Sequence, residues 1–143
     1  MAMALFTEKE EEQIRKAVEA AESHTSGEIR VCAEKHCPED VLDRAATYFS
    51  KLDMDKTALR NGVLIYLAIE DHKFAIIGDA GINKVVPHDF WETTKDAMRT
   101  HFKKGQLVEG IITGVKMAGQ ELKAFFPLED DDTNELPDHI SYM

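Results

Sequence analysis

The residues best suited to chemistry in this chain are oxygen donors. Glu28, Asp53, Asp55, Asp79, Asp89 and Glu92 occur with Ser26, Thr57 and Asn61 in stretches far apart in sequence, with Arg60 and Lys84 as balancing cations. Carboxylates mixed with hydroxyl and amide oxygens are hard ligands and suit a divalent ion. Calcium takes about six to eight such oxygens in flexible geometry, whereas magnesium keeps waters and needs fewer carboxylates, so calcium is favoured over magnesium. The expected metal set is Glu28, Asp55, Asp79, Asp89 and Glu92. No EF-hand spacing is present. Each acid also has a plainer reading: Asp53 and Asp55 as solvated loop residues, Asp89 and Glu92 at a helix N-terminus, Asp79 supporting a turn.

Other chemistries find less to work with. Gly78-Asp79-Ala80-Gly81 follows a strand but lacks the third glycine that cradles a pyrophosphate, and no P-loop lysine follows. There is no Gly-x-Ser-x-Gly elbow, and the histidines at 24, 36, 72, 88, 101 and 139 are scattered without a triad partner, so no catalytic residue is named. Cys32 and Cys37 fit no common zinc spacing; on one extended segment they would face opposite ways, which makes them reduced structural thiols.

The elements that must position the oxygen donors can be read from periodicity. Thr7 and Glu10 form a capping-box pattern ahead of Ile14, Ala17, Val18 and Ala21, predicting a helix over 8–23. From Glu28 the chain alternates, with Ile29, Val31 and Ala33 on one face, as a strand does. Pro38 at a first-turn position opens a second helix ending near Leu52. The apolar run 63–69 predicts a strand buried on both faces, and 73–78 pairs with it as an antiparallel hairpin. A loop over 79–88, a helix over 89–104 stopped by Gly105, and a last helix over 107–126 complete the body. A short fourth strand is expected near Val85 and Val86. Phe90, Trp91, Phe102, Phe125 and Phe126 are expected mostly in the core, with Trp91 bracing the loop end.

A doubly covered central strand requires helices on both faces, so the fold class is α/β: a three-layer α/β/α sandwich with a small mixed sheet of about four strands. If the first two strands are parallel through a right-handed crossover and the third returns, then Ser26–Glu28, the 53–61 loop and the 79–89 loop meet at one end of the sheet. That convergence would gather most of the donors.

With 143 residues, one domain is expected, spanning 5–127. The net charge of −10 is concentrated at the end: Glu129, Asp130, Asp131, Asp132, Glu135 and Asp138 carry six of those charges. Residues 128–143 therefore read as a disordered acidic tail, with docking through Leu136, Ile140 and Tyr142 as the minority alternative. The body has no basic stripe, which argues against nucleic acid. No apolar run approaches a membrane span and no signal peptide precedes Glu8, so the expected setting is cytoplasmic, without a membrane anchor.

Ser26-Gly27-Glu28-Ile29, Arg60-Asn61-Gly62-Val63-Leu64 and Ile77-Gly78-Asp79-Ala80-Gly81-Ile82, followed by Phe90-Trp91 and Phe102-Lys103-Lys104-Gly105, resemble the TPM domain family across 5–127. That family includes thylakoid-lumen proteins of photosystem II repair, related bacterial proteins and an acetylcholine-receptor modulator. The resemblance implies an α/β/α sandwich and, for some members, acid phosphatase activity or binding of divalent ions such as calcium near these loops. By position, the acidic residue after the third strand falls on Asp79, the Asn-Gly entering the second on Asn61 and Gly62, and Glu28 on the polar lead into the first. The expectation is a stand-alone, monomeric metal-binding regulatory or adaptor module acting on an unidentified protein partner. The alternative is a metal-dependent phosphatase for phosphomonoesters, in which the ion lowers the pKa of a bound water and Arg60 faces the developing charge.

Overall fold

The computed structural model describes residues 5–128 and 140–143. Helix α1 (Glu8–Glu22) begins with the capping box the sequence predicts: the Thr7 hydroxyl accepts from the Glu10 amide, and the Glu10 carboxylate accepts from the Thr7 amide. Strand β1 (Glu28–Glu34) leads to α2 (Val41–Lys51), a 3₁₀ turn (Met54–Lys56) and the hairpin β2 (Gly62–Ala68) and β3 (Lys73–Gly78). A short α3 (Ala80–Asn83) precedes α4 (Phe90–Lys103), α5 (Leu107–Phe125) and β4 (Ser141–Tyr142).

The sheet order is β3-β2-β1-β4. β1 runs parallel to β2 with Glu28 opposite Gly62, and β3 returns antiparallel with Gly78 opposite Val63. Alternation assigns the two faces. Ile29, Val31, Ala33, Val63, Ile65 and Leu67 meet Ile14 and Val18 of α1, Met98 of α4 and Ile111, Val115 and Leu122 of α5. Cys32, Leu64, Tyr66 and Ala68 meet Ala45, Tyr48 and Phe49 of α2 and Met54 of the turn. The chain is therefore the three-layer sandwich with a four-stranded mixed sheet. Because β1 has a strand on each side and helices above and below, all of it is buried, including Glu28, Arg30 and Glu34.

Several local readings differ. Helix α2 is capped by Asp40, whose side chain accepts from the Leu42 and Asp43 amides, so Pro38 lies before the helix and not in its first turn. The 79–88 stretch contains α3, and Val85 and Val86 form no strand; the fourth strand is Ser141–Tyr142, paired parallel to Cys32 and Ala33. Period-2 patterning cannot register a two-residue strand. The expectation of a solvated tail fails for its end, since Ile140 and Ser141 are buried against the sheet and the Arg30 Nε donates to the Ser141 hydroxyl at 2.7 Å. The rest of the tail, 129–139, with its acids and Leu136, lies outside the described residues. Cys32 and Cys37 are free and buried in the same α2-side layer, because Cys37 lies beyond the strand where alternation no longer applies. Among the aromatics, Phe90 is buried and Phe125 is exposed.

Candidate functional site

The register of the three long strands brings the expected segments to one end of the sheet. Gly62 lies beside Glu28, the Asp79 amide donates to the Gly62 carbonyl at 2.9 Å, and the Gly81 amide donates to the Arg60 carbonyl at 2.8 Å. The 53–61 and 79–83 segments are thus stitched together by backbone bonds. The Asn61 side-chain amide reaches the Ser26 hydroxyl at 3.5 Å, joining the lead into β1.

Gly81 is what allows this approach. A Cβ there would stand 2.2 Å from the Leu59 carbonyl oxygen and 2.5 Å from that of Arg60. On the far side of α3, Asn83 donates to the Gly78 carbonyl at 2.8 Å and accepts from the Trp91 indole at 2.9 Å. Trp91 does brace this loop, as its position suggests.

The predicted donors divide into three groups. Asp79 is buried but engaged: its carboxylate accepts from Arg60 Nε at 2.6 Å and Nη2 at 2.8 Å, and from the Ala80 amide at 2.7 Å. This bidentate pair raises the Arg60 pKa, chiefly through the hydrogen bond to Asp79. Asp89 and Glu92 are exposed, with Glu92 3.6 Å from the Lys95 ammonium, and the Asp89 side chain makes no capping bond. Glu28 is buried, 1% exposed, and Asp55 is partly buried. No group of three or more His, Cys, Asp or Glu side chains able to hold an ion comes together among the described residues.

The neutral oxygens belong with Glu28 and Asp55. Asp55 Oδ1, Thr57 Oγ1 and Asn61 Oδ1 are all buried without a hydrogen-bond partner among the described residues. Most buried polar atoms in proteins are satisfied, so three such oxygens within seven residues of one loop need a physical account. The sequence signal for Thr57 was only its place in an acid-rich loop, while Asn61 was also marked by the Asn-Gly of the family resemblance.

A second polar cluster has no sequence signal. At the other end of β1, Glu34 accepts from Arg44 Nε at 2.8 Å and Nη2 at 3.0 Å, from the Tyr48 hydroxyl at 3.0 Å, and from the Tyr66 hydroxyl. Burial pushes the Glu34 carboxyl up, but Arg44, Tyr66 and Tyr48 outweigh it and hold it below its ordinary value. Every member is satisfied, which fits a structural clamp between β1, β2 and α2.

Comparison with known families matches the TPM domain over residues 2–121. The chain belongs to the TPM domain family. This TPM domain is similar to the solution structure of BA42 from the psychrophilic bacterium Bizionia argentinensis, at 48% identity and a TM-score of 0.92, covering 100% of this chain and 99% of that one. It also resembles the N-terminal domain of cg2496 from Corynebacterium glutamicum at 11% identity and a TM-score of 0.67, covering 92% of this chain and 85% of that one, a likeness of fold alone. No curated protein matches it. Among the described residues, no helix of the TPM domain is long and apolar enough to cross a membrane.

Proposed function

We propose that this TPM domain is a divalent-cation module, with calcium as its first candidate ion, whose occupied loops act on a protein partner. The observation that supports the reading is the trio of unpartnered buried oxygens on Asp55, Thr57 and Asn61. A cation within reach of these oxygens would satisfy them without supplying a donor, and hydroxyl and amide oxygens are ordinary calcium ligands.

The residues that would hold the ion are Asp55 and Glu28 for charge, and Thr57 and Asn61 for neutral oxygen. Asp79 has another task. By fixing Arg60 and the start of α3, it keeps the 53–61 loop against β2. Arg60 is thereby committed to Asp79, which is why the phosphatase reading draws no support from it. The ion would cross-link the loop to the end of β1, and the surface so ordered would be what a partner recognises.

Two carboxylates are a low charge count for calcium. Affinity falls with ligand charge, so the expected dissociation constant is weak, on the order of 10⁻⁴–10⁻³ M. An ion bound only to the folded form adds about 2.7 kcal/mol at a hundredfold excess over that constant, worth roughly 8 °C for a domain of this size. The test is a thermal melt of the metal-stripped protein against calcium and then magnesium, with amide shifts followed in parallel. Saturable stabilisation, with shifts at Asp55, Thr57 and Asn61 and both lost in Asp55→Asn, is the expected result. Stabilisation that survives Asp55→Asn, or no saturable shift at those amides, would reject the site.

A further inference from the structure

A larger concavity lies at the opposite end of the sheet, between the β2–β3 turn and the α4–α5 junction. Its volume is about 480 Å³, within the ~300–1,000 Å³ of small-ligand clefts. Phe74, Phe102 and Leu107 give it an apolar floor, the two rings meeting edge-on at 4.9 Å. Its ionisable lining residues are His72, Lys73, Arg99 and Lys103, with no acid among them. In a chain with 27 acidic and 17 basic residues, that bias runs against the composition.

The cations differ in availability. Lys73 donates to the Cys37 carbonyl at 3.3 Å and is thereby engaged by the segment between β1 and α2. Arg99 lies over the Phe74 ring, 5.6 Å from its centroid, and its hydrogen bond goes to Asp96 at 2.9 Å through one Nη. That pair is exposed on one helix face, so it is weak and easily shared with an incoming anion. Lys103 is exposed at the end of α4. Helix α5 begins at Leu107 without a side-chain cap, because the Gln106 amide oxygen meets His101 at 2.8 Å instead. The positive end of its dipole therefore adds to the same field.

We propose that this cleft binds a small amphiphilic carboxylate, its apolar body on Phe74, Phe102 and Leu107 and its head between Arg99 and Lys103. Charge complementarity selects the anionic head, and the aromatic floor selects the apolar body. The site is independent of the metal loops, from which the length of β2 separates it.

The test is an amide-resolved NMR titration of the full chain, without added metal, using decanoate below its aggregation range, with decanol and decyltrimethylammonium as controls. Saturable decanoate shifts at Phe74, Phe102, Gly105 and Leu107 are expected, with decanol about tenfold weaker and the cation not binding. Lys103→Glu, an exposed change that leaves the fold intact, should weaken decanoate about fivefold and leave decanol unchanged. Equal binding of decanol and decanoate would overturn the charged head. Shifts spread over the surface, or none, would overturn the site. Concentration-dependent shifts of the same amides without ligand would make the cleft a contact between copies of this chain and overturn it as well.

Discussion

Replacing Glu34 by Gln isolates the charge of the buried clamp at nearly constant volume. The carboxylate accepts from both nitrogens of the Arg44 fork and from Tyr48 and Tyr66. A glutamine keeps one acceptor oxygen but turns an NH₂ group toward donors, and the guanidinium cannot rotate into an acceptor. Breaking a buried pair costs about 3–5 kcal/mol, while a hydrogen bond to a charged group contributes about 1.5–3. Arg44 is 24% exposed and keeps Glu39 at 3.0 Å, so the lower part of that range applies. The expected loss is about 3 kcal/mol, or roughly 9 °C in Tm.

Urea unfolding and thermal melts of wild type and Glu34→Gln, followed by circular dichroism at neutral pH, measure this difference directly. The same experiment in acid tests its origin. The folded-state pKa of Glu34 lies below its ordinary value of 4.5, so the clamp stabilises fully above that value and loses its contribution as pH falls through the folded pKa. The gap between the two proteins should therefore be widest at neutral pH and narrow on acidification. A loss below about 1 kcal/mol, the scale of a surface ion pair, would refute the reasoning. So would a gap that stays constant from neutral pH to well below 4.5.

Gly81→Ala should cost about 2–3 kcal/mol by forcing backbone apart, whereas Gly105→Ala, with φ +75° and open space around it, should cost only about 1 kcal/mol of strain; equal denaturation midpoints for the two would contradict the packing of α3. His36 is held above its ordinary pKa, first by its hydrogen bond to Asp71 and then by the charges of Asp71 and Glu70. Whatever stability this pair adds is present below the ordinary histidine value and lost as pH rises through the folded one; an NMR titration should return His36 toward 6.5 in Asp71→Asn, and an unchanged midpoint in that variant would remove Asp71 as the cause. Hydrolysis of p-nitrophenyl phosphate with calcium or magnesium should stay at background; turnover that requires metal and disappears in Asp55→Asn would move the loop site into the enzyme class.

Much of this protein was legible in its sequence because its strongest signals are local. The capping box at Thr7 and Glu10, the uninterrupted apolar run of β2 and the glycine stop at Gly105 are set by backbone chemistry within a few residues, and the structure reproduces each. The covering of β2 on both faces follows from its composition and gives the layers, and the strand directions then bring the 53–61 loop to the start of the 79–89 stretch at one end of the sheet. Side-chain commitments are different, because they depend on which groups meet across the fold. The sequence could place Asp79 at that end but not pair it with Arg60, and it could not distinguish exposed Asp89 and Glu92 from the buried oxygens of Asp55, Thr57 and Asn61. Glu34, Arg44, Tyr48 and Tyr66 carry no pattern at all until α2 crosses the sheet. The last strand was invisible for the same reason: two residues have no periodicity, and only the open edge of β1 gives Ser141 and Tyr142 a place to pair.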